Sequence, residues 1–95
     1  ELIYTRLPGA VINDVELTKH AKEAAKKVGY TVIDLEHPYT IGEDFSGLLE
    51  HHPGVFAFIG SNSEYDLHHP KYNPDERILE KIPDYFIELI YQLLA

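Results

Sequence analysis

The segment from Ile78 to Leu94 is the strongest constraint in the sequence. Ile78, Leu79, Ile82, Phe86, Leu89, Ile90 and Leu93 recur at helical spacing and form one apolar stripe, while Tyr85, Ile87, Tyr91 and Leu94 carry apolar surface well around the cylinder. A helix of this kind expects neighbours on several sides. In a chain of 95 residues, folding alone buries only about 60–65% of the surface that the unfolded chain exposes, so such a helix is costly to surround. Glu80, Lys81, Pro83, Asp84, Glu88 and Gln92 interrupt the run, and it falls short of the roughly 20 mostly apolar residues of a membrane span. Pro83 is expected to kink or divide the helix, because it removes one backbone bond and clashes with the preceding turn.

The rest of the chain reads as alternating helices and strands. Residues 1–6 form a short extended stretch that ends at Leu7-Pro8-Gly9, where proline and glycine supply turn chemistry. A first helix over about 14–28 opens with Asn13 and Glu16 in a variant of the capping box. It carries Leu17, Ala21, Ala24, Ala25 and Val28 at helical spacing and stops at Gly29. Tyr30-Thr31-Val32-Ile33-Asp34-Leu35 is rich in β-branched residues and predicts a short strand closed by Pro38. Gly42-Glu43-Asp44 opens a second helix of about 44–51, ended by Pro53-Gly54. Val55-Phe56-Ala57-Phe58-Ile59 is a continuous apolar run between glycines, the pattern of a strand buried on both faces. A polar loop, 60–73, precedes Asn73-Pro74-Asp75-Glu76, which combines an N-cap, a first-turn proline and acids ahead of the terminal helix. The fold class this predicts is α/β, helix-strand-helix-strand-helix. Two strands and two further helices are too few partners for the terminal helix, so the pattern is that of an incomplete part of a larger sheet protein. The lack of methionine and the initial Glu1 agree with a piece of a longer product.

Composition narrows the function. Eight basic and 16 acidic residues give a formal charge of −8, and the four clustered lysines alternate with acids and alanines, which disfavours nucleic acid. No cysteine is present, so thiolate metal sites and thiol nucleophiles are excluded and a reducing cytoplasm is allowed. No export signal is visible. Six histidines invite a metal reading, with adjacent pairs at His51-His52 and His68-His69. Neighbouring side chains in extended chain point opposite ways, so each pair offers one metal a single ligand, and a closed site needs three or four. His51-His52 reads more simply as a solvated helix end. His68 sits in a proline-braced loop after a buried run, a position that often bears function. By spacing alone, Glu43 and Asp44 are caps in a first helical turn.

Taken in order, Asn13-Asp14, Gly42-Glu43-Asp44-Phe45-Ser46, Pro53-Gly54-Val55-Phe56-Ala57-Phe58-Ile59-Gly60, and Leu67-His68-His69-Pro70-Lys71-Tyr72 followed by Asp75-Glu76 resemble one known pattern. It is the C-terminal portion of the zinc aminoacylase, hippurate hydrolase and auxin-conjugate amidohydrolase family of metallopeptidases. The resemblance covers essentially the whole chain. It implies that residues 1–8 are the exit strand and linker from a lid domain that often dimerises, and that 9–95 complete the catalytic domain. It further implies hydrolysis of N-acyl amino acids or related amides by a metal-activated water, with zinc, or manganese or cobalt, as the divalent metal. The general-base glutamate and most metal ligands belong to the upstream chain, so the segment alone is expected to be inactive. The family's Leu-His-x-Pro ligand falls on His68, His69 holds the variable position, and Gly42, Glu43, Asp44 and His69 border the substrate cleft or support the residues that do. The implied partners are the N-terminal remainder, an N-acyl amino acid or peptide substrate and a second subunit, without nucleic acid or membrane. The rival reading is a small non-catalytic module that self-associates through its apolar terminal helix.

Overall fold

Helices close their own backbone hydrogen bonds, and the three best-patterned segments do so. The computed structural model describes residues 2–3, 9–37 and 44–95. These hold α1 (Val15–Lys27), α2 (Phe45–Leu49) and α3 (Ile78–Leu94). The expected exit strand over 1–8 falls almost wholly outside the described residues, as do Pro38, Gly42 and Glu43.

Both ends of α1 are chemically specified. Its N-cap is Asp14, in extended conformation, whose carboxylate accepts the Leu17 N–H at 2.9 Å. The expected capping box of Asn13 and Glu16 does not form: Glu16 pairs with Lys19 at 3.0 Å, and Asn13 is used elsewhere. At the other end Gly29 takes φ +93°. Its N–H donates to Lys26 O at 3.1 Å and the Tyr30 N–H to Ala25 O at 2.9 Å, the paired bonds of a Schellman stop.

α3 begins at Ile78, later than the Asn73 cap predicts. Asp75, not Asn73, organises the entry: its carboxylate accepts the Arg77 N–H at 3.0 Å and its carbonyl accepts the Ile78 N–H at 3.1 Å. The helix runs on through Pro83 rather than dividing there. The proline is the sixth helical residue, so the one bond forgone is that to Leu79 O.

α1 packs on α3. Ala24 is fully buried and Ala21 nearly so, and these small side chains let the helices approach closely. At the rim Lys27 Nζ lies 3.2 Å from Glu88. Lys81 Nζ donates to Gly29 O at 3.0 Å and sits 4.2 Å above the Tyr30 ring, which meets Tyr85 edge-on at 6.2 Å. Ala21 and Ala24 are the only buried apolar residues among those described. No residue of α3 is buried outright, and Leu79, Tyr91 and Leu94 are each at least two-thirds exposed.

The structure corrects the α/β expectation: the described residues are helical, with no strand and no sheet. Residues 30–35 and 55–59 are chain without regular structure. The physical reason is that a strand exists only by pairing, since its N–H and C=O groups point sideways to a neighbour. Residues 30–35 meet no such neighbour among the described residues, and Ile33 and Leu35 are exposed. Residues 55–59 are held instead at two points beside α1. The Asp14 N–H donates to Gly54 O at 2.9 Å. The Asn13 side chain both accepts the Phe56 N–H at 2.8 Å and donates to Phe56 O at 3.0 Å. Far from buried on both faces, Phe58 and Ile59 are exposed.

α2 caps one end of this run. Phe45 meets Phe56 at 5.5 Å between ring centroids, and Phe56 meets Phe58 edge-on at 5.6 Å. Gly54 passes so close to α2 that a Cβ there would lie 2.9 Å from Leu49 Cδ2 and 3.3 Å from Phe45 Cζ. A side chain here would have to push the end of Leu49 aside and crowd the Phe45 ring. No described helix is long and apolar enough to cross a membrane.

Candidate functional site

Two concave regions stand out among the described residues, and their chemistry differs. A cleft of about 280 Å³ lies between α1, the 55–59 run and α3, lined by Leu17, Ala21, Val55, Ala57, Ile59, Tyr85, Phe86, Leu89 and Leu93. Its one titratable group is the Tyr85 hydroxyl, which burial and the nearby Tyr30 push up from its ordinary value. Apart from that hydroxyl, the lining has no nucleophile, base or ligand to offer.

The second region is the 61–77 loop, which carries the histidine that the sequence singles out. Short polar side chains fold this loop back on itself. Asp75 N–H donates to Ser61 O at 2.8 Å, and Asn62, with φ +54°, donates from Nδ2 to Asp75 Oδ2 at 3.2 Å. Ser63 Oγ accepts the N–H groups of Tyr65 and Asn73 at 3.2 and 3.3 Å. Arg77 closes the base with a side-chain contact to both carboxylate oxygens of Asp75. Arg77, through side-chain and backbone hydrogen bonds, and then Asn62 hold the Asp75 carboxyl well below the usual carboxylate range, so it is ionised at any physiological pH. Asp75 in turn raises the Arg77 guanidinium further. A hollow of about 250 Å³ lies between Asn62, Ser63, Glu64, Tyr65, Lys71 and Asn73.

At the tip, His68 takes φ +70°, a conformation that costs a side-chain-bearing residue energy and that its neighbours enforce. The His69 N–H donates to Asp66 O at 3.1 Å, and His69 O accepts the Tyr72 N–H at 2.9 Å. His69 Nδ1 accepts the Lys71 N–H at 3.0 Å, and its ring stacks on Tyr65 at 4.4 Å with 17° between the planes. Lys71 Nζ stands 5.8 Å from the Tyr65 centroid. The His68 imidazole itself is exposed and makes no hydrogen bond, ion pair or ring contact among the described residues.

Of the other residues expected at a site, Asp44 is exposed at the start of α2, and its side chain does not cap that helix. No hydrogen bond or ion pair joins it to His68 or His69. Gly42 and Glu43 lie outside the described residues. His51 and His52 are exposed past the end of α2, both backbone N–H groups donating to Leu48 O. Among the described residues no three His, Asp or Glu side chains gather into a group able to hold a metal ion. Sequence reasoning missed the Tyr65–His69 stack and the Asp75–Arg77 clamp. The cluster of Asn62, Ser63, Asn73 and Asp75, all turn-forming types, was the available signal.

Comparison with known proteins supplies the family. The model of the peptidase family M20/M25/M40 matches residues 1–92. The N-acetyl-L-cysteine deacetylase of Bacillus subtilis (strain 168) is 40% identical over 92% of this chain and 21% of its own length. A second N-acetylcysteine deacetylase of that organism is 38% identical over 84% of this chain and 21% of its own length. Its N-acetyldiaminopimelate deacetylase is 46% identical over 53% of this chain and 13% of its own length. The chain thus spans about a fifth of the length of the first two relatives. No solved structure matches it. A match over 92 consecutive residues leaves one assignment: the chain belongs to peptidase family M20/M25/M40, and its curated relatives are hydrolases that include deacetylases.

Proposed function

We propose that this chain is the C-terminal portion of a metal-dependent cytoplasmic amidohydrolase that cleaves N-acyl amino acids or closely related amides. The observation that carries the reading is the family match over residues 1–92, with relatives named for removing acetyl groups from amino acids. Residues 9–95 complete the catalytic domain, residues 1–8 lead into it from the lid, and the upstream chain supplies the general base. The assembled enzyme works as a homo-oligomer.

His68 is the metal ligand of this segment. Its side chain suits that role, because an exposed imidazole with no competing partner among the described residues, on a turn fixed from both sides, leaves its nitrogens open to a metal ion. One such ligand does not make a site, and the remaining donors come from the upstream chain. His68 with the upstream donors would hold a divalent cation, zinc before manganese or cobalt, whose chemistry there would be to activate water toward an amide carbonyl. Gly42, Glu43 and Asp44 line the substrate side of the cleft.

The test is made in the full-length protein with N-acetylcysteine as substrate. Since even the residues that orient a metal ligand are typically worth about 10–100-fold, His68→Ala is expected to lower turnover by more than about 100-fold and to reduce bound metal, read by elemental analysis. Unchanged turnover and metal content in that variant would remove His68 from the site.

A further inference from the structure

We propose that His69 is a positioning residue: its ring, clamped at Nδ1 and on one face, holds His68 in its left-handed conformation and so fixes the direction in which the His68 side chain leaves the backbone. The inference rests on the reading of His68 as a metal ligand and gives its neighbour a separate role.

Three observations converge on it. First, His68 has φ +70°, a region that glycine enters freely and that a residue with a side chain, histidine included, enters at a cost in energy. Something local must supply the energy, and the His68 side chain, free of contacts, does not. Second, the residue that follows His68 is tied at both of its backbone polar groups, by His69 N–H to Asp66 O and by Tyr72 N–H to His69 O. Third, the His69 side chain adds two ties that its backbone cannot. Nδ1 accepts the Lys71 N–H two residues on, at 3.0 Å, as an aspartate or asparagine does in an Asx turn. The ring also lies parallel to Tyr65 at 4.4 Å, which anchors the tip to the loop's ascending side, where Tyr65 N–H is held by Ser63.

An Nδ1 that accepts places the neutral ring's proton on Nε2, so this nitrogen is committed to the turn and is not a metal donor. The adjacent histidines therefore divide the work, one exposed and unpartnered among the described residues, the other bound to the loop through its Nδ1 and one ring face. Position 69 needs an acceptor at the reach of Nδ1 more than it needs an imidazole. Asparagine carries its Oδ1 at that reach.

The experiment compares His69→Asn, His69→Phe and His69→Ala in the full-length protein, beside His68→Ala, by zinc affinity in chelator competition and by the kcat and KM of N-acetylcysteine hydrolysis. His69→Asn is expected to stay within about threefold of the parent in zinc affinity. His69→Phe, which keeps a ring on Tyr65 but has no acceptor, is expected to lose about 10-fold or more, in kcat rather than KM, and His69→Ala at least as much. Should His69→Ala fail to fold, His69→Phe still decides the matter. A His69→Phe protein with parental zinc affinity, while His68→Ala has lost it, would overturn the positioning role alone. Parental zinc affinity in His68→Ala would overturn the ligand reading and this inference with it.

Discussion

α3 and the 55–59 run are both rich in apolar residues, yet they end in different states. Each helix satisfies its own backbone internally, so α1 and α3 are complete as secondary structure even though α3 buries no residue outright. The 55–59 run cannot do this. It is tied beside α1 through Gly54 O and the two polar groups of Phe56, and it is not a strand. A helix is a property of a segment, whereas a strand is a relation between two segments. Apolar composition decides what wants burial, and pairing partners decide whether it becomes a sheet.

That contrast predicts its largest effect in the segment expressed alone. Leu79, Phe86, Ile90, Tyr91 and Leu94 are exposed on α3, and burying each large apolar side chain is worth roughly 1.5–3 kcal/mol. The formal charge of −8 opposes association weakly, since salt screens beyond about 8 Å. The isolated 95 residues are expected to associate in a concentration-dependent way in sedimentation at physiological salt and to bind a hydrophobic dye. A dye-negative, monodisperse monomer at high micromolar concentration would break the comparison, because α3 would then be closing a core of its own.

A smaller effect probes where the run meets α2. Gly54→Val places a branched side chain where even one carbon lies 2.9 Å from Leu49 Cδ2 and 3.3 Å from the Phe45 ring. Leu49 can swing its end away, but Phe45 packs against Phe56, so the cost is expected to be about 1–3 kcal/mol by chemical denaturation of the full-length protein, with Gly54→Ala below it. No loss in the valine variant would mean that the run is not seated on α2.

What the sequence disclosed follows the same division. Helix positions were legible to within a few residues because spacing, Gly29 and the acidic entry of α3 act locally. The cap of α1 was misplaced by one residue, from Asp14 to Asn13, since both types cap helices and the true employment of Asn13 lies 43 residues away. The two strands were read from β-branched and apolar runs that describe burial and not pairing. At the loop, the candidacy of His68 was visible from its proline-braced motif, but its left-handed backbone and the Tyr65–His69 stack were not. They arise from the fold of the whole 61–77 loop and not from any one dipeptide.

The finest test of the comparison concerns Asn13, the side chain that stands in for a strand partner. Its amide accepts from Phe56 N–H and donates to Phe56 O, as a neighbouring peptide would, and it projects from the residue before the α1 cap. Asn13→Ala removes both bonds at an exposed position, where a net loss of about 1 kcal/mol is expected. Asn13→Asp separates the two halves, because a carboxylate keeps the acceptor for Phe56 N–H but sets an oxygen against Phe56 O in place of a donor. If both bonds hold the run, Asp costs as much as Ala, and the Phe56 amide exchanges its hydrogen faster in both variants. If Asp matches the parent in stability and exchange, the acceptor alone anchors the run, and Asn13 is a one-point tether instead of a substitute for the missing ladder.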